Sequence, residues 1–288
     1  MNGAIAVIVN ADDLGLHPAV RRSVEECAAL GTVTSASVLA NGPDTAEVRP
    51  IAGVSLGAHL NILRGVPLSP ASEVPSLVGS DGRFHGRVSS LAWRLARGAL
   101  ALGEVRLEWS RQVALLRERG LVLSHVDGER HTHCLPGLFD IACEVAREHG
   151  IAWIRRSDER FGNPMFGAPA VRRMLLRAAC VRSPLPRGMR AADSVWGIAE
   201  QGAAFSAAAC ARALRSAPAA PSGAVIEVVC HPARREPGDP ALPAAFGRMR
   251  VEQLWEHEHR SLADGSWLEA AAANGWRLTA FDRIDPTR

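Results

Sequence analysis

This 288-residue chain contains no lysine and no tyrosine, and only 5% of its residues are aromatic. All 33 basic residues are therefore arginines, a bias that coding preference produces as readily as function does, so by itself it assigns nothing. Seven tryptophans and no tyrosine leave few rings to stack on a long sugar chain. No apolar run approaches the roughly 20 residues that span a bilayer, so any membrane relationship is expected to be peripheral. The first apolar run, Ala4 to Val9, is short and lacks a basic flank, so no secretory signal is expected. The six cysteines form no C-x-x-C pair and fall in segments that read as buried, so reduced thiols in a cytoplasmic protein are expected in place of a disulfide framework. A net charge of +3 with no accompanying motif argues against nucleic-acid binding. No linker, repeat or low-complexity tract breaks the chain, and residues 1–288 read as one domain.

What is present is an alternation of short β-branched runs with helical periodicity. Strands are expected at 4–9, 33–39, 54–61, 121–127, 151–154, 224–230 and 276–281. Helices are expected at 18–30, 89–100, 104–119, 136–149, 203–216, 250–262 and 266–274, the third with Val105, Trp109, Val113 and Leu116 on one face. Residues 64–86 read as a long irregular loop, a length common in lids and substrate-binding segments. This β-α rhythm implies a parallel sheet wrapped by helices.

The chemistry-bearing residues gather at strand ends, where parallel α/β folds bind ligands. Asp12 and Asp13 follow the first run, His59 ends the third, Asp127 to His133 follow the fourth, and His231 follows Cys230. Adjacent carboxylates on a strand point apart unless the chain turns, and Gly15 allows a turn. Asp12 and Asp13 also read as caps of the following helix. One such end is usually structural, whereas four in one chain suggest a site. Carboxylate plus imidazole suits zinc and tolerates other divalent ions. An ion there lowers the pKa of water and polarises a carbonyl, the needs of amide hydrolysis. Asp12 is the candidate base and His231 the candidate acid.

Four motifs carry a family resemblance: Asn10-Ala-Asp-Asp-Leu-Gly15, Gly57-Ala-His-Leu-Asn61, Ser124-His-Val-Asp-Gly-x-x-His-x-His133 and Glu227-Val-Val-Cys-His-Pro232. In order and spacing they resemble the YdjC-like carbohydrate deacetylases, over nearly the whole chain. The resemblance implies a (β/α) barrel-like fold, a distorted or incomplete TIM-type barrel with outer helices. It implies metal-dependent removal of acetyl from an N-acetylated amino sugar, using one divalent ion, zinc in preference to magnesium. It also implies Asp12 as base, Asp13 and His59 as metal ligands, and His231 as acid or leaving-group partner. Where the family has Asp-Ser/Gly-His, this chain has Asp127-Gly128-Glu129, which makes Glu129 the third ligand unless His131 or His133 takes that place. His131 and His133 are otherwise expected to line the sugar pocket, with Asn61 and Asp127 as further substrate contacts.

Between Phe166 and Arg190 lie six arginines and no acid, interleaved with Val171, Met174, Leu175, Ala178 and Val181. This reads either as a helix with a solvated basic face or as a basic amphipathic element at an anionic membrane. Leu91, Trp93 and Leu95 add a second such segment. The Asp-Gly-Glu-Arg-His-Thr-His variant resembles the hopanoid-biosynthesis (HpnK-type) members of the family. That likeness implies a glycolipid substrate, an N-acetylglucosaminyl hopanoid, met at the inner membrane surface. Soluble chitooligosaccharides are the alternative substrate, and a non-catalytic carbohydrate- or lipid-binding relative the alternative class.

Overall fold

Side chains alternate along β1 (Ile5–Leu14), and the alternation sorts the molecule into an inside and an outside. Val7, Val9 and Ala11 join the large core under the helices, whereas Ala6 and Ile8 pack with Trp153, Val225, Phe281 and Ile284 in a separate inner cluster. The computed structural model describes residues 4–162, 166–216, 223–246 and 251–285. After β1 come α1 (Pro18–Ala29), β2 (Ser35–Val38), β3 (Ser55–Leu60), α2 (Val88–Ala96), α3 (Leu102–Glu118), β4 (Leu123–Gly128), α4 (Leu138–Glu148) and β5 (Trp153–Ile154). Then follow α5 (Ala168–Arg182), β6 (Ser194–Trp196), α6 (Ala207–Arg215), β7 (Val225–Cys230), α7 (Val251–Ala263), α8 (Ser266–Asn274) and β8 (Trp276–Leu278).

All ladders among the described residues are parallel, in the order β5-β4-β3-β2-β1-β7-β6, with β8 alongside the start of β1. The outer strands β5 and β6 share no ladder among the described residues; their neighbouring segments meet through a bridge between Trp153 and Arg190 and hydrogen bonds such as Ile154 N to Arg190 O and Val195 N to Asp158 O. The sheet therefore curls into an incomplete barrel with helices outside, as the β-α rhythm implies. Its interior is filled in layers. The apolar cluster closes one end, His125 stacks on Phe281 above it at 4.2 Å between centroids, and polar side chains fill the rest. Gly57 makes room for this packing, since a Cβ there would lie 2.3 Å from the His125 ring.

Local sequence explains most boundaries. His17 Nδ1 accepts from Ala19 N at the start of α1, and Pro18 occupies the first turn, where a missing N–H costs nothing. On α3, Val105, Trp109, Val113 and Leu116 are fully buried. The polar residues of the same helix hold the 64–86 segment: Glu108 accepts from Leu68 N and Ser69 N, and Glu104 accepts from Ser76 N. That segment is irregular as expected, but it is pinned to α3, with Val74, Leu77 and Phe84 buried.

Several elements differ from expectation: β1 runs on to Leu14 where the expected strand stops at 9, and α2 ends at Ala96, short of the expected 100. β6 was not anticipated, because three residues within a Pro/Gly/Arg-rich segment carry no readable period. The expected strand at 276–281 ends at Leu278, and the helix expected from 203 begins at Ala207 after a 3-10 turn, Gly202–Ala204. Residues 217–222, between the helix expected to end at 216 and the strand expected from 224, lie outside the described residues, as does position 250 of the expected helix.

Candidate active site

Both carboxylates of the first motif reach one site because β1 does not stay regular. Its register against β2 shifts between Ala11 and Leu14, and Asp13 takes φ 65°. This left-handed residue turns the strand before Gly15 does, so Asp12 and Asp13 face the same side. Two further non-glycine residues with positive φ, Arg130 (49°) and His131 (58°), lie in the 3-10 turn Glu129–Cys134 that follows β4. Backbone strain is thus concentrated on the two segments that carry site carboxylates. Gly128 lets the turn close tightly, since a Cβ there would meet His133 Nδ1 and Leu60 O at 2.9 Å.

Asp13, His59 and Glu129 offer ligand atoms that all lie within 4.8 Å of one another, and all three residues are buried. His59 Nε2 is 3.5 Å from Asp13 Oδ1 and 3.7 Å from Glu129 Oε2. Donors each about 2.1 Å from a shared ion at tetrahedral angles stand about 3.4 Å apart, so the spacing fits a divalent cation. Asp13 Oδ1 has no hydrogen-bond partner despite its burial, a vacancy that such an ion would satisfy. Burial and the Glu129 charge push the Asp13 carboxyl up to about 8, whereas His59 and Arg64 overcome burial and bring Glu129 down to about 2.

The orientation of His59 is set from behind. Its Nδ1 lies 2.8 Å from Asp127 Oδ1, which leaves Nε2 facing the two carboxylates, the arrangement that fixes ligand histidines in metal sites. Burial would lower the His59 pKa, but Asp127 and the other carboxylates hold it well above the usual histidine range. A second group, Asp12, His59 and Asp127, also clusters, but a cation there would meet the Arg155 guanidinium already held between its carboxylates. Arg155 Nη1 and Nη2 donate to the two oxygens of Asp12 at 2.7 Å each, and Nη2 lies 2.6 Å from Asp127 Oδ2. Ser37 Oγ donates to Asp127 Oδ2, and Asn10 Nδ2 to Asp12 Oδ1. The Asp13, His59 and Glu129 set is therefore the one suited to an ion.

Arg155, one residue past β5, was not anticipated as a site residue. It is fully buried, and its Nε also donates to Glu227 Oε1 at 2.7 Å, so one guanidinium serves three carboxylates. Burial raises Asp12 and Asp127, but Arg155 outweighs it: Asp12 falls below, and Asp127 well below, the ordinary aspartate range. Glu227 remains pushed up to about 7 by burial. The available signal was a charged residue directly after Ile151-Ala-Trp-Ile154, the same strand-end rule that singled out the others.

His231 follows β7, with Nε2 3.9 Å from Asp12 Oδ2 and a side chain 17% exposed, more open than the other residues of the cluster. Glu258 Oε2 accepts from His231 N at 2.6 Å, which anchors the loop carrying the imidazole. Burial lowers the His231 pKa, so the ring is neutral at rest.

The remaining expected contacts are placed differently. Asn61 is fully buried: its Oδ1 accepts from Leu63 N and Arg64 N, and its Nδ2 donates to Asn41 Oδ1 and Arg64 O. It shapes the loop and has no surface for substrate, and Asp127 likewise serves His59 and Arg155. His133 lies fully buried with Nε2 3.0 Å from Arg155 O, and His131 Nδ1 pairs with Ser157 Oγ at 2.9 Å. Neither histidine joins the Asp13 and His59 cluster, whose third member among the described residues is Glu129.

Comparison with known proteins accords with this arrangement. The model of the YdjC-like protein family matches residues 6–273. This chain belongs to the YdjC-like family. It is 31% identical to a carbohydrate deacetylase of Mus musculus, over 99% of this chain and 96% of that one. It is also 31% identical to a carbohydrate deacetylase of Homo sapiens, over 98% of this chain and 92% of that one. A solved protein of Enterococcus faecalis V583, for which cellobiose-phosphate cleavage has been put forward, shares the fold with a TM-score of 0.71 at 23% identity, over 98% of this chain and 99% of that one. Among the described residues of this YdjC-like chain, no helix is long and apolar enough to cross a membrane.

Proposed function

We propose that this chain is a metal-dependent N-deacetylase of an N-acetylated amino sugar. The observation that carries the reading is the convergence of Asp13 Oδ1, His59 Nε2 and Glu129 Oε2, with Asp13 Oδ1 buried and unpartnered. Its mixed nitrogen and oxygen donors favour zinc over magnesium. An ion held by these residues supplies Lewis acidity and a water acidified towards neutrality. Asp12 stays ionised under the hold of Arg155 and retains a lone pair on Oδ2 facing His231, so it accepts the proton of the attacking water. The neutral His231 imidazole, 3.9 Å away, takes that proton on and delivers it to the leaving amine. The curated relatives named carbohydrate deacetylases support an acetylated sugar as substrate.

Within this reading we favour a lipid-linked sugar of the N-acetylglucosaminyl hopanoid type over a soluble chitooligosaccharide. Exposed apolar side chains on α5, which packs on the turn carrying Glu129, and the scarcity of aromatic rings support it. Asp12→Asn is expected to lower acetate release by about 10²–10⁴-fold with bound metal retained. His59→Ala is expected to lose both. Near-normal turnover in Asp12→Asn would remove Asp12 as the base.

A further inference from the structure

Helix α5 has two apolar faces where a surface helix needs one. Leu176 and Cys180 point inward and pack with Cys134, Val195, Ile198 and Val229. On the other side Val171 is 50% exposed, Met174 62%, Leu175 60% and Val181 75%, and Phe166 just before the helix is 92% exposed. At 100° per residue these four helical positions fall on one stripe opposite the buried one. Four bulky apolar side chains on one exposed stripe are not the scattered single exposures ordinary on protein surfaces.

The chemistry around the stripe says what covers it. Residues 166–190 hold six arginines and no acid, with Arg177 exposed beside the stripe and Arg182 exposed at its C-terminal end. Arg160, Arg173 and Arg177, with one acid, Glu159, also line a recess of about 400 Å³ on the same flank. Of the stripe only Met174 borders that recess; Val171, Leu175 and Val181 lie outside it, exposed along the helix. Apolar side chains ringed by arginines match a bilayer bearing anionic lipids, into which the side chains insert while the guanidinium groups stay at headgroup level.

The place of α5 gives the contact a purpose. It packs on the 3-10 turn Glu129–Cys134, the turn that carries Glu129 and His131. We propose that the outer face of α5, formed by Val171, Met174, Leu175 and Val181 with Arg177 and Arg182, docks the protein on an anionic membrane surface and sets the mouth of the site against the lipid headgroups. This deepens the lipid-linked reading above and rests on it for its purpose, while its readout, vesicle binding, is separate from acetate release.

The full chain would be floated with vesicles of phosphatidylcholine alone and of phosphatidylcholine with phosphatidylglycerol, at low and high salt. The variants are Met174→Glu with Leu175→Glu, and Arg177→Glu with Arg182→Glu. Circular dichroism and turnover of a soluble N-acetylated amino sugar would check that each is folded, with Leu175→Gln plus Val181→Ser as the milder pair should the first fail. Wild type is expected to float with the anionic vesicles, less so at high salt, and each pair of substitutions to weaken binding by about tenfold or more with soluble turnover unchanged. No flotation of wild type, or equal flotation of folded variants, would overturn the proposal. So would light scattering that shows a dimer split by Met174→Glu with Leu175→Glu, since a second copy would then cover the stripe. Loss of soluble turnover in wild type alongside intact flotation would instead count against the catalytic reading alone.

Discussion

Replacing Arg155 with methionine removes one buried cation from among three carboxylates while keeping roughly its length. Four contacts of 2.6–2.7 Å disappear, to Asp12 twice and to Asp127 and Glu227 once each. Breaking a buried pair from one side costs about 3–5 kcal/mol, because the charge left behind has neither water nor partner. The carboxylates limit that loss by taking up protons, which makes it depend on pH. In the wild type, Asp12 and Asp127 have depressed pKa values, so their stabilising contribution is present above the unfolded value of about 3.9 and lost only as pH falls through the lower folded values. It is complete at both pH 5 and pH 8. In the variant, unopposed burial pushes the same groups up, so stability drains away as pH rises through the raised values. Urea unfolding followed by circular dichroism should therefore show a deficit of about 3–5 kcal/mol near pH 8 and a smaller one near pH 5. A deficit under about 1 kcal/mol, or one of equal size at both pH values, would refute the role of Arg155 as the shared counter-charge.

Two further outcomes follow from the same network. Asp127→Asn weakens the hold on His59 Nδ1, and zinc affinity measured by calorimetry should fall by about 10–100-fold; unchanged affinity would mean that His59 is oriented by something else. Glu227 has a pKa raised to about 7, so its contribution to stability is fully present below about 4.5 and lost as pH rises through 7. Glu227→Gln keeps an acceptor for Arg155 and removes that titration, so the fall in stability from pH 5 to pH 8 should shrink by up to about 3 kcal/mol; an identical pH profile would contradict the assignment.

The Asp13, His59 and Glu129 cluster was legible in the sequence because each member stands at or just past a strand end, and strand ends can be read from where β-branched runs stop. Asp13 and His59 lie on β1 and β3 and Glu129 opens the turn after β4, and only the parallel order of β1, β2, β3 and β4 brings them together. The left-handed turn at Asp13 was not legible, since aspartate tolerates that conformation without demanding it and Gly15 nearby was the stronger cue. Arg155 follows a strand that the sequence does mark, but it is one of 33 arginines, and nothing in its residue type shows that it faces three carboxylates inside the barrel. Asn61 and Asp127 show the limit of residue type as a guide: a polar residue at a strand end can face inward to satisfy backbone or a neighbouring ligand, and only its hydrogen-bond partners reveal which. The pinning of residues 64–86 was likewise unreadable, because it depends on Glu104 and Glu108 facing the loop from another element.

The most direct measurement is the metal content of the purified protein and of Glu129→Ala by elemental analysis, with acetate release from an N-acetylglucosaminyl lipid assayed in the same samples. The wild type should hold about one divalent ion per chain and release acetate, and Glu129→Ala should lose both. A wild type that binds no ion, or a Glu129→Ala protein that keeps both ion and turnover, would contradict the Asp13, His59 and Glu129 centre.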